Sequence, residues 1–183
     1  MSTTKGQPID PKKYPPLLDR PIEELDLCDE EATRQLGRAL GSVAEDGDFI
    51  ALIGELGAGK TTMMQGLVEA VDIEGKWRAT SPTYALIQVY ETKPMVYHMD
   101  LYRLEGWADL ESIGYWDYAE GRRGITCVEW LDRIPSAWPG RGLIIELLRT
   151  KTGRMARLWG DANWRGRLAD VVEILNPRSE EEK

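Results

Sequence analysis

The stretch Phe49-Ile50-Ala51-Leu52-Ile53-Gly54-Glu55-Leu56-Gly57-Ala58-Gly59-Lys60-Thr61-Thr62 decides how this chain is read. Its second part fits Gly-x4-Gly-Lys-Ser/Thr, a loop whose backbone cradles phosphate. Glycines let the backbone curl so that successive N–H groups converge on an anion, a concavity that side chains would fill. A helix opening at the loop adds unpaired N–H groups and the positive end of its dipole. Lys60 is placed to reach the outer phosphates, Thr61 to hold a magnesium ion, and Thr62 to bond an inner phosphate. The context supports the motif. Phe49 to Ile53 is a short apolar run that predicts a buried strand, and Met63, Met64, Leu67, Ala70 and Val71 recur at helical spacing.

Working outward, the N-terminal side predicts a strand through Ile22, Leu25 and Leu27. Asp29 then serves as a helix N-cap, with Glu30 and Glu31 in the first turn. That helix runs to about Val43 and buries Ala32, Leu36, Leu40 and Val43. Residues 1–20, with four prolines and little periodicity, read as a flexible leader. Residues 21–176 form one nucleotide-binding domain, and 177–183 a frayed acidic tail.

On the C-terminal side, 72–80 is polar and leads into Ser81-Pro82-Thr83-Tyr84. Two hydroxyls flanking a proline admit two readings: a switch that meets the terminal phosphate or its metal, or a plain turn into a strand over 85–90. Residues 95–100 predict another strand ending in Asp100, either a metal or water ligand or a cap for the segment that follows. His98 reads as a hydrogen-bonded strand residue rather than a ligand or base. Residues 107–120 predict short helical turns broken at Gly114. Residues 124–128 predict a strand that delivers Glu129, the second metal element such a site needs, with Trp130 stacking on a base or simply packing. A strand over 143–148 and a partner over 154–159 predict a hairpin, followed by a helix carrying Trp164, Leu168, Val171, Val172 and Leu175. Arg149, Lys151, Arg154, Arg157, Arg165 and Arg167 are a basic stretch, a solvated face or a phosphate or RNA contact.

Composition narrows the classes. A net charge of −8 argues against a large independent nucleic-acid surface and fits partners with basic patches. No run approaches the roughly 18 apolar residues of a membrane span. Two distant cysteines, Cys28 and Cys127, fit a reducing cytoplasm, and a single histidine disfavours zinc. No Asn/Thr-Lys-x-Asp segment reads guanine, which turns the expected nucleotide toward ATP. The expected fold is α/β: a P-loop NTPase-like mixed sheet with flanking helices in a single domain.

The motifs together resemble the TsaE family, formerly YjeE: the glycine loop 54–62, then Ser81-Pro82-Thr83-Tyr84, then Tyr97-His98-Met99-Asp100-Leu101-Tyr102-Arg103-Leu104, then Glu129-Trp130, and Gly153-Arg154. The resemblance spans about residues 22–175. It implies an ATP-hydrolysing subunit, weak alone, of the machinery that places threonylcarbamoyl on tRNA adenosine. Its implied partners are TsaB- and TsaD-like proteins, and tRNA is reached only through them. It implies that Lys60 and the loop residues Glu55, Leu56, Gly57, Ala58, Gly59, Thr61 and Thr62 bind ATP. Thr61 and Glu129 hold magnesium, Asp100 sits near the metal and the attacking water, and Thr83 belongs to the switch. Arg154 contacts nucleotide, and Glu30 lies, by a looser match, where the family approaches the base. The chain departs from the family in its long leader and in Leu131, where a proline is frequent. Two other functions fit the same loop: a small-molecule kinase, and an interaction protein gated by nucleotide without essential hydrolysis.

Overall fold

The computed structural model describes residues 20–177; the leader over 1–19 and the tail from 178 onward lie outside the described residues. Seven strands form one mixed sheet: β1 (Glu23–Leu27), β2 (Phe49–Ile53), β3 (Ile87–Tyr90), β4 (Val96–Asp100), β5 (Ile125–Glu129), β6 (Leu143–Arg149) and β7 (Arg154–Gly160), in the order β1-β7-β6-β2-β5-β4-β3. The inner strands β6, β2, β5 and β4 run parallel, and the antiparallel pairs lie toward the edges. β2 is apolar and buried at every position, as a central parallel strand covered on both faces must be.

One face of the sheet is covered by α1 (Glu30–Val43), α2 (Lys60–Val71) and α5 (Ala162–Leu175). The other is covered by α3 (Trp107–Ser112), α4 (Tyr115–Ala119) and 3₁₀ turns at Leu131–Arg133 and Pro135–Ala137. α1 starts where its cap predicts, the Asp29 carboxylate accepting from the Ala32 N–H at 2.7 Å. Leu36 and Leu40 are fully buried, a burial that contributes on the order of 1.5–3 kcal/mol each. α1 lies so close against α2 that glycines are needed at the crossing. A Cβ on Gly37 would run into the Met63 carbonyl, and one on Gly66 into that of Arg34. This contact seats α2 and the loop before it. Arg167 fixes the entry to β2, donating to both Asp48 carboxylate oxygens at 2.6 and 2.8 Å.

Several expectations shift. The strand expected over 85–90 begins at Ile87, because Leu86 sits in the left-handed region (φ 64°), its N–H turned back to the Pro82 carbonyl. Ala70 is exposed, and Val68 takes the buried position on α2. The β5 strand runs through Glu129 itself. In α5, Trp164, Leu168 and Val171 are buried, while Val172 and Leu175 are half-buried.

Candidate functional site

The parallel strands β2, β5 and β4 end side by side, with Leu52 opposite Glu129 and Glu129 opposite Asp100. Ligands in open α/β sheets bind at such carboxyl edges. Here a cleft of about 390 Å³ opens, lined by loop residues Leu56, Gly57 and Gly59, by Lys60, Thr61 and Thr62, and by Asp100 and Glu129. Ser81, Thr83, Tyr102, Trp130 and Arg154 complete its walls.

The loop joins β2 to α2 with Gly57 at φ +76° and Gly59 at φ +113°, backbone that an L side chain rarely adopts. A Cβ at Gly57 would meet the Arg149 guanidinium, and one at Gly59 the side chains of Arg154 and Thr33. The loop therefore stays a bare backbone concavity at the helix N-terminus, a shape suited to phosphate. Ala58 is buried, its N–H closing a turn on the Glu55 carbonyl.

Lys60 is only 5% exposed. Its ammonium donates to the Gly54 and Glu55 carbonyls at 2.7 and 3.1 Å and lies 3.7 Å from the centre of the Trp130 ring. Burial pushes its pKa below the ordinary lysine value, against the opposing pull of Glu129, Asp132, Asp100 and Glu55. Trp130 thus packs under the lysine, and the Tyr102 ring lies 5.0 Å from it.

Asp100 and Glu129 are 1% and 2% exposed. Asp100 Oδ2 accepts from Ser81 Oγ at 2.9 Å and Thr83 Oγ1 at 2.6 Å, and Oδ1 accepts from the Tyr102 N–H at 2.8 Å. Asp100 thus serves as the cap of the following turn, one of its two expected roles, and it also holds the Ser81–Thr83 segment at the cleft. Glu129 Oε1 lies 2.9 Å from His98 Nε2.

The donor set fits magnesium with a nucleoside triphosphate. Thr61, Asp100 and Glu129 offer hard oxygens, which magnesium prefers. Among the described residues no group of three or more His, Cys, Asp or Glu forms a self-sufficient metal cage. Magnesium takes one or two carboxylates and completes its shell with phosphates and water.

The structure brings together Lys60, Thr61, Thr62, Thr83, Asp100, Glu129 and Arg154. Glu30 does not line the cleft: it is exposed at the start of α1, 3.5 Å from Arg34. The basic stretch disperses. Arg149 donates to the Gly57 carbonyl at 3.0 Å, Arg154 lines the cleft, Arg157 lies 3.6 Å from Glu146, and Arg167 binds Asp48. Sequence reasoning assigned no site role to Tyr102, and to Arg149 only the open role of the basic stretch, a solvated face or a phosphate or RNA contact. Tyr102 carried a signal, its place two residues after Asp100 in one motif; Arg149 carried none beyond its charge.

The family model described as "Threonylcarbamoyl adenosine biosynthesis protein TsaE" matches residues 27–157. The tRNA threonylcarbamoyladenosine biosynthesis protein TsaE of a Nostoc species is 42% identical over 113 residues, 60% of this chain and 68% of that protein. Its counterpart in Treponema pallidum is 36% identical over 115 residues, 63% of this chain and 83% of that protein. Among solved structures, Bacillus subtilis YdiB superimposes with a TM-score of 0.67 at 25% identity, over 82% of this chain and 94% of that one.

Proposed function

This chain belongs to the TsaE family, and from that membership we propose that it binds ATP with magnesium and hydrolyses it within the machinery that makes threonylcarbamoyladenosine in tRNA. Its proposed partners are TsaB- and TsaD-like proteins, which the family resemblance implies, and it reaches tRNA only through them. The observation that carries the reading is the convergence of a bare glycine loop, a buried ammonium and two buried carboxylates on one cleft.

The loop N–H groups and Lys60 bind and orient the phosphates. Lys60 is already desolvated, so its charge acts on phosphate in a low-dielectric setting. Thr61 and Glu129 would hold the metal, with Asp100 beside it. A bound magnesium ion supplies charge neutralisation on the phosphate oxygens as the terminal phosphoryl is transferred. Asp100 orients the water whose oxygen forms the new bond to the terminal phosphorus, as the bond from that phosphorus to the ADP oxygen breaks. Arg154 adds positive charge at the cleft wall, and Thr83 ties the 81–84 segment to the same carboxylate that orients the water. The loop residues Glu55 and Leu56 serve through their backbone.

Lys60→Ala tests the site. We expect nucleotide binding, followed with a fluorescent ATP analogue, to fall below detection along with turnover; unchanged ATPase activity would sink the assignment. Reconstituted tRNA modification with and without this chain tests the pathway role. A requirement that shows only over many turnovers supports energy coupling.

A further inference from the structure

We infer that His98 is a positioning residue for Glu129, and through it for the magnesium ion that the cleft would bind; this rests on the proposed function above. In parallel β4 and β5, His98 stands opposite Cys127, and Asp100 opposite Glu129. Side chains alternate along a strand, so His98, Asp100, Cys127 and Glu129 share one face of the sheet. His98 lies one step behind the acids, fully buried, with Nε2 2.9 Å from Glu129 Oε1. A carboxylate oxygen only accepts, so Nε2 carries the hydrogen.

Packing alone does not account for an imidazole at this place. Among the described residues its buried Nδ1 has no hydrogen-bond partner, a cost that an apolar side chain of similar size would avoid. The polar contact it does make is to Glu129, one of the two carboxylates that line the cleft. That bond holds Oε1 and leaves Oε2 for a cation. The imidazole is itself held in place. The Tyr90 ring lies 6.3 Å from it at an interplanar angle of 28°, and the Tyr90 hydroxyl accepts from the Thr80 N–H at 3.3 Å. Carboxylates that bind metals are commonly oriented by such a second donor.

The test uses the full chain and three variants: His98→Leu, which removes the donor; His98→Gln, whose amide nitrogen stands near the place of Nε2; and His98→Asn, whose amide is too short to reach. Urea denaturation first establishes that each variant is folded. A fluorescent ADP analogue is then titrated in EDTA, and again at fixed nucleotide with increasing magnesium. Manganese EPR with ADP gives an independent cation affinity. We expect nucleotide affinity in EDTA to stay within about twofold of wild type in all three variants. Apparent cation affinity should fall about 10- to 100-fold in His98→Leu and His98→Asn, the usual cost of losing such a partner, and recover in His98→Gln. A merely structural histidine would not produce a loss confined to the cation, nor a Gln–Asn difference. Equal cation affinity in wild type and His98→Leu would overturn the inference. If His98→Leu does not fold, equal affinity in the Gln and Asn variants overturns it instead. A wild-type protein that binds nucleotide identically with and without magnesium would overturn the metal site itself, a result visible without any variant.

Discussion

Replacing Asp100 separates its structural work from the chemical role proposed for it. The carboxylate is 1% exposed and accepts three hydrogen bonds, from Ser81, Thr83 and the Tyr102 backbone. Hydrogen bonds to a charged group contribute about 1.5–3 kcal/mol each. Two of the donors recover part of that, because Ser81 is exposed, Thr83 half-buried, and their hydroxyls lie 2.8 Å apart. The Tyr102 N–H cannot adjust in this way, and deleting the carboxylate also relieves the cost of burying its charge. Asp100→Ala should therefore lose roughly 1–3 kcal/mol of stability. Asp100→Asn should lose less than about 1 kcal/mol, because its oxygen can still accept from Tyr102 while the two hydroxyls rotate to accept from its amide. Hydrolysis should fall by about 10²-fold or more in both variants, as when a residue that orients the attacking group is removed. Urea denaturation followed by circular dichroism reads the first effect, and phosphate release at saturating ATP the second. If Asp100→Asn is as destabilised as Asp100→Ala, the hydroxyls are not free to reverse and the hydrogen-bond account is wrong. If Asp100→Asn hydrolyses ATP at the wild-type rate, Asp100 does not act on the water.

Three further outcomes follow from the geometry. Gly37→Ala places a methyl group against the Met63 carbonyl at the α1–α2 crossing; a loss of about 1–3 kcal/mol is expected in urea denaturation, together with weaker nucleotide binding because α2 carries the loop. Cys28 is exposed, whereas Cys127 is fully buried and burial pushes its thiol well up; a thiol reagent should label one cysteine in the native protein and two after unfolding. Lys60 has a folded pKa lowered by burial, so just below the ordinary lysine value of about 10.4 the unfolded chain keeps a proton that the folded one has lost. Its contribution to stability without nucleotide therefore rises with pH through that window, and Lys60→Met should flatten the rise in urea midpoints.

The sequence by itself carried the parts of the protein that are local in the chain. The strand–loop–helix of 49–71, the Asp29 cap and the helix it opens, and the break at Gly114 are each set by neighbours within a few residues, through alternation, capping and backbone freedom. Strand ends that depend on backbone geometry were not legible in the same way. Leu86 occupies a left-handed turn, which residue type alone disfavours, so β3 starts two residues later than its apolar pattern predicts.

The tertiary structure decided which charged residues meet. Arg149, Arg154, Arg157 and Arg167 form one run in the chain, yet the β6–β7 hairpin and α5 carry them to the glycine loop, the cleft wall, Glu146 and Asp48. Glu30, which a looser family match sets where a base would be approached, is exposed at the start of α1 beside Arg34. His98 read as a hydrogen-bonded strand residue, as it is, but its partner was not legible, because Glu129 lies 31 positions away on a strand brought alongside only by parallel pairing. Periodicity identifies which residues share a face. Which residue stands beside which across strands depends on sheet order and register, and these arise from packing the whole chain.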